Sequence, residues 1–295
     1  MKIKPRTRSN KYTIDHNFFK TWSPDMAYIF GLWFSDGYIC KGRSWVFGIT
    51  LDKKDKYLLQ RILKKMGSNH KLYANKNTFS ISICSGEIVQ DILNLGGNTR
   101  KSLVSVFPYV PREYLPDFIR GVFDGDGSIF KIKHRNGYSS NFISGSKKFI
   151  FSLKDVLEEN ICEFRCSVTK KLPMVSAFKN SRRLIISKHN SYCLNLSTNN
   201  TRRLRDFMYQ NISELRMIRK YDRHVKNGGI ELANSDKKFF LYKDAIKISS
   251  SLGLITNREW YKYFHHNIKK LIGIPSHPET IYKNEWTGWN AWLGK

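Results

Sequence analysis

The chain has 295 residues, with 51 Lys and Arg against 24 Asp and Glu, a formal charge of +27. An excess of that size calls for a polyanionic partner, while 41% apolar and 14% aromatic content excludes a disordered basic tail and demands packed cores. No stretch of about 20 apolar residues occurs, so no membrane helix and no membrane partner are expected.

A chain of this length predicts two or three domains. The first twenty residues are basic but lack the apolar centre of a secretory signal. The five cysteines, Cys40, Cys84, Cys162, Cys166 and Cys193, are scattered, with one close pair. Reduced, buried thiols are expected, in an intracellular protein of an organelle or of a prokaryotic or viral-host cytoplasm.

The first predicted helix covers residues 24–36. Ser23 is its N-cap, Pro24 its first residue and Asp25 an early acid. The helix is apolar nearly all round, which marks it as buried. It closes on Asp36-Gly37, and "SWVFGITL" follows as a strand with Trp45, Phe47, Ile49 and Leu51 on one face. Residues 53–66 read as a helix, 78–84 as an alternating strand and 86–95 as a helix.

The order then recurs. Leu115-Pro116-Asp117 opens a second helix that closes on Asp126-Gly127. "SIFKIKHRNGYSSNFISG" is a hairpin with Asn136-Gly137 as its turn. Residues 146–159 read as a helix, 191–197 as a strand and 200–210 as a helix, with a less clear stretch at 165–190. Each half therefore reads helix, two strands, helix, two strands, helix, a duplicated unit.

Aligned on glycine, "GLWFSDG" (31–37) matches "GVFDGDG" (121–127). Gly31 and Gly121 each cost roughly 1 kcal/mol of helix propensity against Ala, which a close backbone approach would explain. The two helices are expected to pack on each other through these glycines, with Asp36 and Asp126 projecting together. Two repelling carboxylates at helix ends, where the dipole is already negative, are tolerable if divalent cations bind there. So few protein ligands suit Mg²⁺ (or Mn²⁺) completed by water and phosphate oxygens. Calcium fits less well: Asp124, Asp126 and Ser128 fill the first positions of a Ca²⁺ loop, but Ile129 and Arg135 occupy its Gly and Glu positions.

The free strand faces and turns carry Lys41, Arg43, Lys71, Lys76, Lys131, Lys133, His134, Arg135, Arg182 and Arg183. A two-stranded ribbon fits the major groove, so these are the candidate DNA contacts.

The paired "GLWFSDG" and "GVFDGDG" helices, each followed by a hairpin, resemble the LAGLIDADG homing endonucleases in their single-chain, two-repeat form. The resemblance spans roughly residues 20–225. It implies an α+β fold of two pseudo-symmetric αββαββα repeats, 20–112 and 113–226, with a saddle-shaped antiparallel sheet on DNA. It also implies Mg²⁺-dependent cleavage of double-stranded DNA by a monomer, for example in intron homing, with Asp36 and Asp126 as metal ligands. Asp124 is then a helix residue and not a ligand. A basic residue late in each half is implied as well, with Lys101 and Lys220 as the catalytic candidates. The first motif departs from the family at Phe34, where an acid often stands.

"NGGIELANSDKK" (227–238) reads as a linker to a third segment, 239–295. There, 242–251 and 256–264 read as helices, Thr256 and Glu259 form a capping box, and Trp286, Trp289 and Trp292 fall within seven residues. This small, mainly helical segment resembles a repeat unit of some phage-type integrases; an accessory DNA-contacting module and a tryptophan-stapled core that only stabilises both stay open for it. Two rival functions stay open beside cleavage: an intron-RNA splicing cofactor, and a DNA-binding regulator without cleavage. The paired acids favour the nuclease, because a pure binder has no need of them.

Overall fold

A computed structural model describes residues 12–295 apart from 43, 100–104, 133–136, 174, 178–183, 187–188, 211–212, 227–239, 241, 268–270, 272–273 and 284. The chain forms two compact units, Met1–Asn227 and Gly228–Lys295.

In the first unit, α1 (Pro24–Asp36) starts as expected, with Ser23 Oγ accepting from Met26 N at 3.1 Å. It passes directly into β1 (Gly37–Lys41), which pairs with β2 (Trp45–Asp52). A short 3₁₀ turn leads to α2 (Lys56–Lys65), then β3 (Tyr73–Ala74), β4 (Thr78–Cys84) and α3 (Gly86–Asn94). The second half repeats the order: α4 (Leu115–Asp126), β5 (Gly127–Lys131), β6 (Tyr138–Ser144), α5 (Lys147–Asn160), β7 (Ser167–Lys171), β10 (Ser191–Leu196) and α6 (Thr198–Met208), then α7 (Ile218–Lys226). A separate β8–β9 pair (Val175–Ala177 and Leu184–Ile186) fills part of the stretch that sequence periodicity left unclear.

The expected single saddle sheet is two separate four-stranded antiparallel sheets, ordered β1-β2-β4-β3 and β5-β6-β10-β7. The matching order bears out the duplication. One face of each sheet is core: Phe47, Ile49, Ile81 and Ile83 in the first, Phe142, Leu194 and Leu196 in the second. Alternation places the opposite residues on the other face. There, register aligns Ser128, Asn141, Asn195 and Ser167 in one row across all four strands of the second sheet.

The thiols differ from expectation. Among them Cys193 is buried, whereas Cys40, Cys84 and Cys162 are exposed; all five are free. Cys40 and Cys84 stand at or near strand ends, beyond the core. No helix among the described residues is long and apolar enough to cross a membrane.

The second unit contains α8 (Tyr242–Ser250), α9 (Asn257–Asn267), α10 (Pro278–Ile281) and α11 (Trp289–Trp292). Its core gathers Trp260, Trp292, Phe264 and Tyr282, and Trp260 meets Trp292 edge-on at 5.4 Å. The capping box is shifted: Thr256 Oγ1 accepts from Glu259 N, but the Glu259 carboxylate reaches Ile255 N.

Candidate active site

The site begins with two glycines. α1 and α4 lie side by side, backbone against backbone. A methyl group at Gly31 would overlap Phe118 O and stand 3.0 Å from Phe118 C; one at Gly121 would overlap Tyr28 O and stand 2.6 Å from Leu32 N. Each glycine thus admits the other helix, a contact that any Cβ would push apart.

The Asp-Gly ends follow from a second pair of glycines. Gly37 and Gly127 both have extended backbones, with φ of −88° and −77°, so neither is a left-handed helix cap. They are glycines because an aromatic side chain four residues earlier covers them: Trp33 lies against Gly37 and Phe123 against Gly127. Both helices therefore turn straight into the first strand of a hairpin, and the preceding Asp is left at the switch.

The two ends meet. Ser35 donates to Val122 O at 3.1 Å, and a methyl group at Gly125 would stand 3.1 Å from Asp36 Oδ2. Asp36 therefore reaches over the residue next to Asp126. Asp36 is half-buried and Asp126 is exposed. A pocket beside Asp126 is lined by Phe34, Ser35, Ser105, Ile143, Ser144 and Phe149.

Asp124, two residues earlier, has a different fate. It is fully buried, and its Oδ2 accepts from Tyr28 Oη at 2.7 Å and Met217 N at 2.8 Å. Burial pushes its carboxyl up, with Lys220 pulling the other way. Arg120, also buried, donates to Asp117 Oδ1 at 2.6 Å, Met208 O at 2.8 Å and Leu215 O at 3.2 Å. At the equivalent position in α1, Phe34 stacks among Phe30, Phe118 and Phe149. One half carries a buried polar network where the other carries an aromatic cluster.

Lys220, on α7, is 5% exposed. Its ammonium donates to Phe123 O at 2.8 Å, Asp124 O at 2.6 Å, Gly125 O at 3.1 Å and Gly127 O at 2.5 Å. Burial pulls its pKa down to about 8, against attraction from Asp124 and, more weakly, from Asp36 and Asp126. Lys101 lies outside the described residues.

Lys41 and Lys131 hold equivalent, exposed positions at the ends of β1 and β5, and the exposed Lys71 and Lys76 flank β3. Arg43, Lys133, His134, Arg135, Arg182 and Arg183 lie outside the described residues. Sequence reasoning missed Lys170 and Lys171, exposed at the end of β7, because that strand lies in the stretch without clear periodicity. It missed the Asn141–Asn195 pair for a different reason, since register is not visible before the strands are paired.

Among the described residues no group of three or more His, Cys, Asp and Glu gathers to hold a metal. The donor set at the helix ends is two carboxylates. Hard oxygen donors in that number fit Mg²⁺ or Mn²⁺ with substrate and water completing the shell, and do not fit a structural zinc site.

The chain is 28% identical over 137 residues to the DNA-directed RNA polymerase subunit Rpo1C of Methanocaldococcus jannaschii; the match takes in 43% of this chain and 14% of that protein, so the chain spans a small part of that relative's length. A structure of I-DmoI in complex with DNA and Ca is similar at 16% identity and a TM-score of 0.42, over 68% of this chain and 94% of that one. The homing endonuclease I-WcaI bound to its DNA recognition sequence is similar at 13% identity and a TM-score of 0.42, over 70% of this chain and 90% of that one. Residues 23–96, which hold α1, its hairpin and Asp36, match the LAGLIDADG-like domain.

Proposed function

We propose that this chain is a site-specific endonuclease of double-stranded DNA, working as a monomer with Mg²⁺ or Mn²⁺ at Asp36 and Asp126. The observation that carries the proposal is the meeting of two repeated Asp-Gly helix ends, where a methyl group at Gly125 would stand 3.1 Å from Asp36 Oδ2. Backbone packing brings together the two helix ends that carry these acids, and each acid stands at the negative end of its helix. That arrangement costs electrostatic free energy unless cations share it. The domain match over residues 23–96 agrees with it.

Each part of the chain then has a task. Asp36 and Asp126 supply anionic oxygens, one from each repeat. A bound divalent ion supplies activation of water and stabilisation of charge on the phosphate. The exposed Lys41, Lys71, Lys76, Lys131, Lys170 and Lys171 neutralise backbone phosphates. In the Ser128–Asn141–Asn195–Ser167 row the exposed Ser128 and Ser167 hydroxyls are open to base edges, while the Asn195 amide is held by Thr169 and Cys193 O.

The test is selection of cleaved duplexes from a randomised library with Mg²⁺ present. Recovery of one long preferred site supports the proposal. Absence of cleavage together with tight binding of a structured intron RNA would replace it with the splicing-cofactor function.

A further inference from the structure

Four backbone carbonyls converge on Lys220 Nζ within 3.1 Å: Phe123, Asp124, Gly125 and Gly127. An ammonium has three protons and no lone pair, so its donor capacity is filled by main chain. These carbonyls belong to the last turn of α4 and the first residue of β5. Last-turn carbonyls largely lack intrahelical partners and the turn frays unless something binds them, although Phe123 O also accepts from Gly127 N. Asp126 sits inside this segment, between Gly125 and Gly127, where the chain is least constrained by its own side chains.

Lys220 is itself held from several directions. The start of α7 is tied to α4 through Met217 N and Asp124 Oδ2 at 2.8 Å. It is tied to the first repeat through Ile218 N and Tyr57 Oη at 2.6 Å, and through Arg219 and the buried Asp55 at 3.0 Å. Arg223, three residues on, donates to Ile129 O at 3.0 Å and so also holds β5. Both sides of Asp126 are thus gripped by one helix whose position is fixed by the other repeat.

We infer that Lys220 is a positioning residue for Asp126: its ammonium clamps the carbonyls on either side of that carboxylate and holds it at the helix-to-strand switch, and it does not transfer a proton to or from reacting atoms. This rests on the proposed function, since it assigns Asp126 a ligand's task. It differs from the role implied by family resemblance, in which the late basic residue is itself catalytic.

The experiment compares the full chain with Lys220→Met and Lys220→Arg. Mn²⁺ affinity is measured by electron paramagnetic resonance on the complex with the selected duplex, beside duplex affinity and single-turnover cleavage. Loss of a group that orients a metal ligand typically weakens the metal by about 10–100-fold. Lys220→Met should weaken Mn²⁺ on that scale with duplex affinity unchanged. Lys220→Arg, which keeps several donors but cannot act as a base, should recover most of the Mn²⁺ affinity and the cleavage. Parent-level Mn²⁺ affinity in both variants, with cleavage lost in both, would overturn the clamp and return Lys220 to proton transfer. Should Lys220→Met not fold, ¹⁵N-lysine spectra of the parent decide. Through-hydrogen-bond couplings from the Lys220 ammonium to carbonyl carbons of 123–127, unchanged on adding duplex and Mn²⁺, support the clamp; a freely exchanging ammonium overturns it. If the parent holds no Mn²⁺ at all, the proposed function fails, and the clamp's task fails with it.

Discussion

Tyr28 and Asp124 join the two repeats inside the core: the hydroxyl of one donates to the carboxylate of the other at 2.7 Å, with both side chains fully buried. Removing the hydroxyl in Tyr28→Phe leaves the carboxylate with Met217 N as its remaining described donor at Oδ2. The expected loss is about 1–3 kcal/mol of unfolding free energy. Denaturant unfolding measures it, and an unchanged midpoint would show that the buried acid does not depend on this bond.

The helix contact makes a sharper demand. Gly31→Ala and Gly121→Ala each drive a methyl group into a backbone carbonyl of the partner helix, which cannot move aside as a side chain can. Each should cost roughly 1–3 kcal/mol or more. Gly42→Ala, where a Cβ meets nothing within 4 Å, is the control and should lie within about 0.5 kcal/mol of the parent. Equal midpoints for all three variants would contradict the backbone packing.

His224 gives the pH dependence. It is buried against Phe123 and Tyr209, and neither ring nitrogen has a hydrogen-bond partner among the described residues. Burial pulls its pKa from 6.5 down to about 3, with Arg205 and Lys220 adding repulsion. Between those values the unfolded chain binds the proton and the folded chain does not. This contribution is therefore fully present above about 6.5 and is lost as the pH falls towards 3. Asp124 and Asp117, pushed up by burial, work in the opposite direction. In His224→Leu the acid-side slope of unfolding free energy should shrink by up to about one proton. An unchanged slope would mean that the imidazole is already solvated or paired.

Duplex binding should weaken steeply with salt, since phosphate neutralisation releases counterions. Lys170→Ala combined with Lys171→Ala should reduce the slope of log affinity against log salt by up to about 2, if both contact phosphates. Filter binding across a salt series reads this, and an unaltered slope would remove β7 from the interface.

The repeated glycines and the Asp-Gly pairs were legible in the sequence because they break helix propensity twice at the same spacing. That made the α1–α4 packing predictable from Gly31 and Gly121. The reason for Gly37 and Gly127 was not legible. Their backbones are extended, and only the positions of the Trp33 and Phe123 rings explain them. The network of Tyr28, Arg120, Asp124 and Lys220 was hidden as well. Arg120 and Asp124 look like a polar face of α4, and their burial depends on residues 208–220, some ninety positions later. Lys220 was reached through resemblance alone, and its four carbonyl partners carry no side-chain signature.

The central claim is that Asp36 and Asp126 share metal chemistry on DNA, and one pair of substitutions tests it most directly. Asp36→Asn and Asp126→Asn keep the side-chain shape and remove one negative charge each from a place where two helix ends meet. Cleavage of the selected duplex is followed with Mg²⁺, and binding of the same duplex is followed with Ca²⁺ in its place. Each variant should lose cleavage, by several orders of magnitude, while binding the duplex as tightly as the parent or more tightly, because charge repulsion with phosphate is lowered. Variants that cut as fast as the parent would contradict the assignment of the two aspartates.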